Sequence, residues 1–209
     1  MNENPDLPRQ SLGDFLGELA ARLPAPGAGA VAALEGALAA SLMAMVGRFT
    51  TDDEHAQVIR EIVGAADSLR TACLEAAAED ETAFAAVAEA MKMPRDTAAD
   101  QEARRRTLAD AQLAAAGPPR VILRNAAELV SLAERVLPIA NHNLVSDVAA
   151  ATAAARAAAT TALLAVETNL LGLDGKRAAE DLAAATAAAD DVARRADEVE
   201  AAVRKALRE

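Results

Sequence analysis

The stretch Pro24-Ala-Pro-Gly-Ala-Gly-Ala-Val-Ala-Ala-Leu-Glu-Gly-Ala-Leu38 combines a helix breaker, a glycine-containing loop and an abrupt helix start. The two prolines end one helix, and the alanine-rich residues begin the next. Gly27 and Gly29 can adopt positive φ and lack side chains, so another molecule can approach the backbone closely. The new helix would present free N–H groups there, which attract carboxylates and phosphates. A tight turn between helices explains the same residues and is the interpretation that this segment alone favours.

The composition predicts helices throughout the chain. The 209 residues are 53% hydrophobic but only 1% aromatic, and alanine recurs in nearly every block. Alanine is the strongest helix former, and no stretch shows the β-branched and aromatic alternation of a strand. We therefore expect an all-α fold, a single-domain up-and-down bundle of about seven helices over residues 1–209, with a long C-terminal helix. Because alanine buries little apolar area, a homodimer interface would supplement the core.

Prolines, glycines and capping residues divide the chain into seven predicted helices. In chain order they run from Ser11 to Arg22, from about Gly29 to Phe49, from Asp52 or Asp53 to Pro94, from Thr97 to Gly117, onward to about Arg135, from Asn141-His-Asn143 to about Leu171, and from Asp174-Gly175 towards the C-terminus.

Charge and cysteine content mainly exclude classes of protein. A net charge of −11 disfavours nucleic acid and anionic membranes as partners. The single Cys73 cannot form an internal disulfide, and the sequence MNENPDLPRQ at the N-terminus lacks the features of a signal peptide, so we expect a cytoplasmic protein. No uninterrupted apolar segment approaches the roughly 20 residues of a membrane span. His55 and His142 lie far apart in sequence, so no metal site is expected.

Asp80 is a carboxylate on the apolar side of a predicted helix. It follows Cys73 by seven residues and precedes Phe84 by four. Burial would raise its pKa unless a cation or hydrogen-bond donors compensate, and such a carboxyl group can act as an acid or base near neutral pH. A structural ion pair with an arginine of a neighbouring helix is the simpler interpretation, and spacing alone favours it.

Asp147 is the second notable carboxylate, in the stretch Asn141-His-Asn-Leu-Val-Ser-Asp147. It falls in the opening turn of a helix, where the helix dipole stabilises a negative charge by about 0.3–1 kcal/mol. That effect explains the residue structurally. The functional alternative is a polar cluster of Asn141, Asn143, Ser146 and Asp147 that provides donors and a proton acceptor in one place, and the two interpretations are equally supported.

Three segments resemble the cyclodeaminase/cyclohydrolase family, which includes the C-terminal domain of formiminotransferase-cyclodeaminase and free-standing bacterial methenyltetrahydrofolate cyclohydrolases. The similar segments are Pro26-Gly-Ala-Gly-Ala-Val-Ala-Ala-Leu34, Asp80-Glu-Thr-Ala-Phe84 with the following Met93-Pro-Arg95, and Asn141-His-Asn-Leu-Val-Ser-Asp147. With a matching order of helices, they extend over about residues 10–175.

The resemblance implies an all-helical homodimer that acts on one-carbon units of tetrahydrofolate, with folate as substrate and no further cofactor. Either N10 of 5-formiminotetrahydrofolate closes onto the formimino carbon and ammonia leaves, or water opens the 5,10-methenyl ring to give 10-formyltetrahydrofolate. We expect Asp147 to act as the base, and Asp80 to position it or to protonate the leaving nitrogen. The expected substrate-binding residues are Gly27, Ala28, Gly29, Ala30, Arg95, Asn141, Asn143 and Ser146.

The sequence also departs from the family pattern. Family members usually have three successive glycines and a serine, whereas this chain has Ala28 in place of the second glycine and Ala30 in place of the serine. Glu35 stands where a small residue is usual, and could fill the pocket or replace missing polarity. These changes leave two alternatives open: a folate-binding module that has lost catalysis, and a helical interaction protein that uses its acidic surface and final helix to bind a partner.

Overall fold

The computed structural model describes residues 10–208 and places 84% of those residues in helices. The seven α-helices are α1 (Leu12–Leu19), α2 (Ala28–Phe49), α3 (Ala56–Lys92), α4 (Ala98–Ala115), α5 (Gly117–Val136), α6 (Val145–Leu170) and α7 (Lys176–Ala206). Two 3₁₀ turns, Leu137–Ile139 and His142–Leu144, connect α5 to α6. No strand occurs within residues 10–208. The expected all-α fold of about seven helices is confirmed.

Capping residues explain where the helices begin. Ser11 accepts a hydrogen bond from the Asp14 backbone N–H, and Thr97 forms a reciprocal capping box with Asp100, as the sequence predicts. The prediction that α3 begins at Asp52 or Asp53 is wrong. The Asp52 carboxylate instead accepts a hydrogen bond from the Glu54 N–H and forms an ion pair with His55, which makes a turn before the helix.

One other predicted boundary needs correction. The first helix ends at Leu19 rather than Arg22, because the Ala21 N–H donates to the Glu18 carbonyl and tightens the last turn before Pro24. The polar stretch 141–143 leads into the sixth helix as expected, and that helix begins at Val145 after 3₁₀ turns at 137–139 and 142–144. Asn141 accepts a hydrogen bond from the Asn143 N–H and so closes the second of these turns.

The helix α2 lies at the centre of the bundle, where it packs on α3, α5 and α6. Its small residues allow this, since nine of its eleven buried residues are alanine or glycine. The helices α2 and α6 run antiparallel: Glu35 of α2 accepts a hydrogen bond from Thr161 of α6, and Asn141, just before α6, donates to the Phe49 carbonyl at the end of α2. These contacts define the two ends of the bundle.

The final helix α7 is part of the core. Ala185, Ala189 and Val192 join one buried cluster, and Val199 and Val203 join the other. Leu182 is partly buried and Leu207 is exposed. The interaction-protein alternative treats α7 as a docking element, but its buried face is already occupied by α5 and α6 of the same chain.

Two helical segments are long and apolar enough to cross a membrane, by length and composition alone. They are Ala28–Phe49 and His142–Leu170. The first is the central core helix, and a buried core helix of a water-soluble bundle has the same composition. The N-terminal residues on which the expectation of a missing signal peptide rests lie largely outside the described part of the chain.

Gly36 tests the close packing of α2. A Cβ at this position would lie 2.8 Å from the Sγ of Cys73, which is fully buried on α3. Gly64 is an exposed glycine inside α3 with no atom in the way. We expect Gly36→Ala to lower the free energy of unfolding by about 1–3 kcal/mol through overpacking, and Gly64→Ala to raise it by about 0.5–1 kcal/mol. Urea unfolding measures both, and equal effects would contradict this packing.

Candidate active site

A cavity of about 340 Å³ opens at one end of the bundle, where the first turn of α2 meets α1, α3 and the C-terminal part of α6. Its floor and rim include the loop Pro24–Ala30, the α3 residues Asp80 and Phe84, and the α6 residues Leu164 to Asn169. A volume in this range suits a small organic molecule. The glycine-containing segment therefore lines a concave site, as well as making the turn between two helices.

Gly29 and Asp80 make the closest approach in this cavity. A Cβ placed on Gly29 would overlap the whole Asp80 carboxyl group, including Cγ, Oδ1 and Oδ2. Only glycine permits this contact, and the reason is close approach rather than backbone conformation. Gly27 is extended at φ −135° and Gly29 is helical, while the glycines with positive φ in the described chain are Gly172 and Gly175. The expected use of positive φ at Gly27 and Gly29 is therefore wrong.

Asp80 is half-buried and has no hydrogen bond or ion pair to any residue within 10–208. The expected ion pair between Asp80 and an arginine of a neighbouring helix therefore does not form within the described residues. Burial raises the pKa of the Asp80 carboxyl above its ordinary value of 3.8, because desolvation disfavours the charged form. The carboxyl group is thus unpaired, faces the cavity and is easier to protonate than an exposed aspartate.

Most of the other polar side chains of the cavity are acids and amides, and Thr168 adds a hydroxyl group. Glu18 and Glu81 line it with Asp80, and no lysine or arginine does so among the described residues. Asn169 donates a hydrogen bond from Nδ2 to the Ala115 carbonyl, which leaves its Oδ1 available at the wall. The Nε2 of Gln10 is buried without a hydrogen-bond partner in the described chain. An unpaired buried donor is unfavourable unless a ligand satisfies it.

The aromatic side chains Phe15 and Phe84 supply apolar surface to the same cavity. Phe15 is buried, whereas Phe84 is 45% exposed although its spacing with Cys73 and Val87 suggests a core position. Together with Leu164, these rings can cover a flat, partly apolar ligand. The cavity thus combines one apolar wall with an acidic wall.

The structure brings together half of the site residues expected from the sequence. Gly27, Ala28, Gly29, Ala30 and Asp80 all line the cavity. Ala28 is exposed and Ala30 half-buried. Glu35 does not fill the cavity, because it lies one and a half turns further along α2 and accepts the hydrogen bond of Thr161.

The polar cluster that ends at Asp147 lies at the opposite end of the bundle. The Asn141 backbone N–H donates a hydrogen bond to Thr50 Oγ1, and its side-chain Nδ2 donates one to the Phe49 carbonyl, each over 3.1 Å. These bonds connect the end of α2 to the segment just before α6. Asp147 lies in the first turn of α6, and Leu164 at the cavity is 17 residues further, or about 26 Å at 1.5 Å per residue. Within one chain, Asp147 therefore does not share the pocket of Asp80.

The remaining expected residues are exposed and do not line the cavity. Asn143 and Ser146 are at the Asp147 end. Arg95 lies in the turn after α3, some 12 helical residues beyond Asp80, which corresponds to about 18 Å. Its backbone carbonyl accepts a hydrogen bond from Gln101, while its side chain is exposed to solvent.

Gln10 and Asn169 are cavity residues that the sequence did not assign to the site. Their separation along the chain hides them, since α1, α3 and α6 meet only through packing on α2. Two observations carried partial information: Phe84 is four residues after Asp80, and Asn169 lies near the end of the region that resembles the family. A second, shallower groove lies between α3 and α5 and contains Arg120 and Arg124.

The described residues contain no group of three or more His, Cys, Asp or Glu side chains that could hold a metal ion. Cys73 is buried, and burial raises the pKa of its thiol. It contacts Nδ2 of Asn125 and is not among the residues that line the cavity.

The fold and site define an all-helical protein with an acidic ligand cavity beneath the N-terminus of its central helix. The family model for formiminotransferase-cyclodeaminase matches residues 11–189. The chain is 32% identical over 176 residues to methenyltetrahydrofolate cyclohydrolase of Methylorubrum extorquens, covering 82% of this chain and 85% of that protein. It belongs to the formiminotransferase-cyclodeaminase family.

Two further comparisons agree with this assignment. Formimidoyltransferase-cyclodeaminase of Mus musculus is 32% identical over 152 residues, which are 67% of this chain but only 28% of that longer protein. The crystal structure of formiminotetrahydrofolate cyclodeaminase from Thermotoga maritima superposes with a TM-score of 0.79 at 27% identity, covering 92% of this chain and 96% of that one. The resemblance expected from the three sequence segments is confirmed.

The raised pKa of Asp80 predicts a pH-dependent stability difference. Because the folded-state pKa lies above the unfolded value, ionisation disfavours the folded state, and stability falls as the pH rises from about the ordinary value through the raised one. Asp80→Asn replaces the ionisable group with a neutral amide and so removes this pH-dependent loss of stability. At pH values above this window, we expect Asp80→Asn to melt at a higher temperature than the parent, by about 2–4 °C for each kcal/mol of stability that the ionised carboxyl group costs. At lower pH this difference in melting temperature should shrink.

Glu79→Gln, which changes an exposed acid on the same helix, is the matched control and should show no such trend. Differential scanning calorimetry across pH measures all three proteins. A destabilised Asp80→Asn at neutral pH would show that the carboxylate stabilises the fold.

Proposed function

We propose that this protein binds a tetrahydrofolate with a one-carbon unit and catalyses a reaction at the carbon that joins, or comes to join, N5 and N10. The single observation that carries the proposal is the unpaired, half-buried Asp80 held against Gly29 inside the cavity. The family membership and the names of the relatives supply the substrate class.

The charge of the cavity supports this substrate. A 5,10-methenyl group is an amidinium cation, and a protonated formimino group also carries a positive charge. Glu18 and Glu81 line the cavity beside Asp80, and no cationic side chain lines it within residues 10–208. Carboxylates near a delocalised cation stabilise it electrostatically, more strongly in a partly dry site than in water. The apolar wall with Phe15 and Phe84 fits the pterin ring.

Asp80 suits the step in which a nitrogen leaves. In hydrolysis, water adds to the methenyl carbon and loses a proton; the C–N5 bond then breaks as the new hydroxyl group loses its proton and becomes the formyl carbonyl, and N5 takes a proton to give 10-formyltetrahydrofolate. In cyclodeamination, N10 adds to the carbon of the protonated formimino group and loses its proton, and the departing nitrogen takes a proton and leaves as ammonia. A carboxyl group with a raised pKa holds its proton more readily and can donate it to either leaving nitrogen.

Hydrolysis of 5,10-methenyltetrahydrofolate is the first choice. The cyclohydrolase relative matches over 85% of its own length, so it corresponds to this chain as a whole protein. The formimidoyltransferase-cyclodeaminases match over only 28% and 22% of their length. Cyclodeamination of 5-formiminotetrahydrofolate is the second candidate, favoured by the structural match over nearly the full chain.

Ligand contacts follow from the unsatisfied groups of the cavity. The buried Nε2 of Gln10 can donate to a carbonyl or nitrogen acceptor of the pterin, and Oδ1 of Asn169 can accept from its amino group. Gly27 leaves open space above the first turn of α2, because a Cβ added there would have no atom within 4 Å. Ala28 and Ala30 replace the family's glycine and serine at the rim without closing the cavity.

The proposal extends to a homodimer in the cytoplasm, with the folate as the only small molecule that the reaction needs. Both reactions are proton transfers and additions without a change of oxidation state, so carboxyl groups suffice as catalysts. The net charge of −11 supports a role apart from nucleic acid and anionic membranes. An exposed apolar face of α2 and α6 supports the dimer.

Asp80→Asn tests the catalytic role directly. We expect kcat for methenyltetrahydrofolate hydrolysis to fall by about 10²–10⁴-fold with a smaller change in KM, because a proton donor is lost while the shape is kept. The loss of methenyl absorbance measures the rate, with 5-formiminotetrahydrofolate assayed in parallel. Glu79→Gln should behave as the parent does.

The same assay separates the alternatives. Folate binding by calorimetry without turnover of either substrate would identify a binding module that has lost catalysis. Neither binding nor turnover would contradict the proposal and would favour an interaction protein.

Gly29→Ala tests the contact that places Asp80. The new methyl group would displace the carboxyl group, and a misplacement of about 1 Å in a catalytic group can lower the rate by about 10²-fold. Gly17→Ala is the matched control, since Gly17 lies on α1 outside the cavity lining and an added Cβ would have no atom within 4 Å. We expect kcat/KM to fall only in the first variant. Full activity in Gly29→Ala would mean that Asp80 does not act from its present position.

A further inference from the structure

A groove of about 820 Å³ lies between α3 and α5, next to the cavity that contains Asp80. Small residues form most of its wall. Arg120 and Arg124 also line it, and because they are four residues apart they lie on the same face of α5. Glu79 is the one acidic side chain that lines the groove in the described part of the chain. The groove therefore offers two guanidinium groups beside a cavity that is lined by acids.

The guanidinium group of Arg124 is free to bind a ligand. Arg124 is exposed and forms no hydrogen bond or ion pair with any residue within 10–208. Arg48 and Arg135, by contrast, are held by carboxylates of α3. A guanidinium group presents five N–H donors in a plane, and this arrangement matches the two oxygens of a carboxylate. Arg124 thus provides an unused carboxylate-binding group at a concave surface.

Arg120 is held at the wall of the groove by Asp181 of α7. Its Nη1 lies 2.8 Å from Oδ2 of Asp181, and the Asp181 side chain is only 15% exposed, against 42% for Arg120. This ion pair occupies one nitrogen of the guanidinium group, so N–H donors on the other nitrogens remain available to a ligand. The groove therefore has one anchored and one unpaired arginine.

The groove and the cavity meet along α3. Ala78 is exposed and lines both of them. Successive helical side chains point about 100° apart, so Glu79 lines the groove whereas Asp80 lines the cavity. At the end of α4, Ala114 lines the groove and Ala115 the cavity. Because Ala78 carries only a methyl group, a ligand that extends out of the cavity can continue over it into the groove.

The folate substrate has a charge distribution that fits these two surfaces. Its one-carbon unit is cationic, and beyond N10 the molecule continues as a benzoyl ring, an amide bond and a glutamate with two carboxylates. With the cationic carbon beside Asp80, this tail would cross roughly the width of one helix, about 10–12 Å, to reach the arginines. We propose that the α3–α5 groove binds the glutamate carboxylates of the substrate, with Arg124 as the principal residue and Arg120 as the second. This inference rests on the proposed function for the identity of the ligand.

The opposite charges of the two surfaces orient the substrate. The acids of the cavity stabilise the cationic end and repel the carboxylates, whereas the arginines attract the carboxylates. The tail takes no part in the bond changes, so its contacts are equally strong in the ground state and in the transition state. Arg124 therefore determines how tightly the substrate binds and leaves the chemical step unchanged.

Arg124→Gln tests this binding site. We expect KM for 5,10-methenyltetrahydrofolate to rise about 3–10-fold while kcat stays within about twofold, because a charged contact in an open groove is partly screened by water. Arg60→Gln is the matched control, since Arg60 is an exposed arginine of α3 that lines neither the groove nor the cavity. Circular dichroism confirms that both variants are folded. An unchanged KM in Arg124→Gln, or an equal rise in both variants, would overturn the proposal.

A substrate without the tail separates a direct contact from an indirect effect. 5,10-Methenyltetrahydropteroate has the same reacting carbon but lacks the glutamate. We expect Arg124→Gln to leave the KM for this pteroate unchanged, because the group that Arg124 binds is missing. A KM that rises equally for the folate and the pteroate would show that Arg124 acts on the cavity instead of the tail, and would overturn the proposal.

Arg120 is tested together with its partner. The double variant Arg120→Gln/Asp181→Asn removes both charges, so no buried carboxylate is left without a cation. We expect its KM to rise for the folate and to stay unchanged for the pteroate. An unchanged KM for the folate would overturn the role of Arg120.

Binding of the tail alone makes the test independent of turnover. p-Aminobenzoylglutamate, which is the tail as a separate molecule, is titrated by NMR against the parent, Arg124→Gln and Arg60→Gln. If the parent turns over neither folate, binding that is weakened only in Arg124→Gln would establish the groove as a carboxylate site, although the proposed function would fail. In that case, equal binding by the parent and Arg124→Gln, or no binding at millimolar concentration, would overturn the groove as well.

Discussion

The contact between Gly29 and the Asp80 carboxyl group is the constraint on which the rest of the site depends. It brings the first turn of α2 against the middle of α3, and it does so only because residue 29 has no side chain. The same contact removes Asp80 from water without giving it a cation, which raises the pKa of its carboxyl. The close packing of two helices thus leaves a carboxyl group that is protonated more readily than that of an exposed aspartate.

The small residues that permit this contact also limit the apolar area that the core buries. Alanine and glycine let α2 approach α3, α5 and α6 closely, but each buries little apolar area. The bundle compensates with larger side chains on α5 and with α7, whose valines close both core clusters. It leaves the outer face of α2 and α6 uncovered.

The sequence predicts the helices well because prolines, glycines and caps mark their ends locally. Thr97 and Ser11 cap helices as expected, and the turns near Asp52 and Pro138 shift the boundaries, since side-chain hydrogen bonds and 3₁₀ geometry compete there with helix starts. The segment 27–30 and Asp80 could be assigned to one site because both lie in segments that resemble the family. Their contact itself could not be derived, since it depends on how α2 and α3 cross.

The rest of the site could not be predicted from the pattern of one chain. Gln10 and Asn169 have no local pattern that marks them, and they meet only when three helices pack around α2. Asp147 could not be placed correctly either, because the polar residues around it suggest a functional cluster, whereas the structure places it at the end of α6 that is far from the cavity.

A crystal structure of the protein with 5-formyltetrahydrofolate, a stable folate that carries its one-carbon unit on N5, would locate the substrate relative to Asp80. We expect the pterin in the cavity beneath α2, with an Asp80 oxygen within about 2.6–3.2 Å of the N5 formyl group or the adjacent nitrogen. Folate bound elsewhere, for example in the groove beside Arg120 and Arg124, with Asp80 out of contact, would refute the assignment of this cavity as the active site.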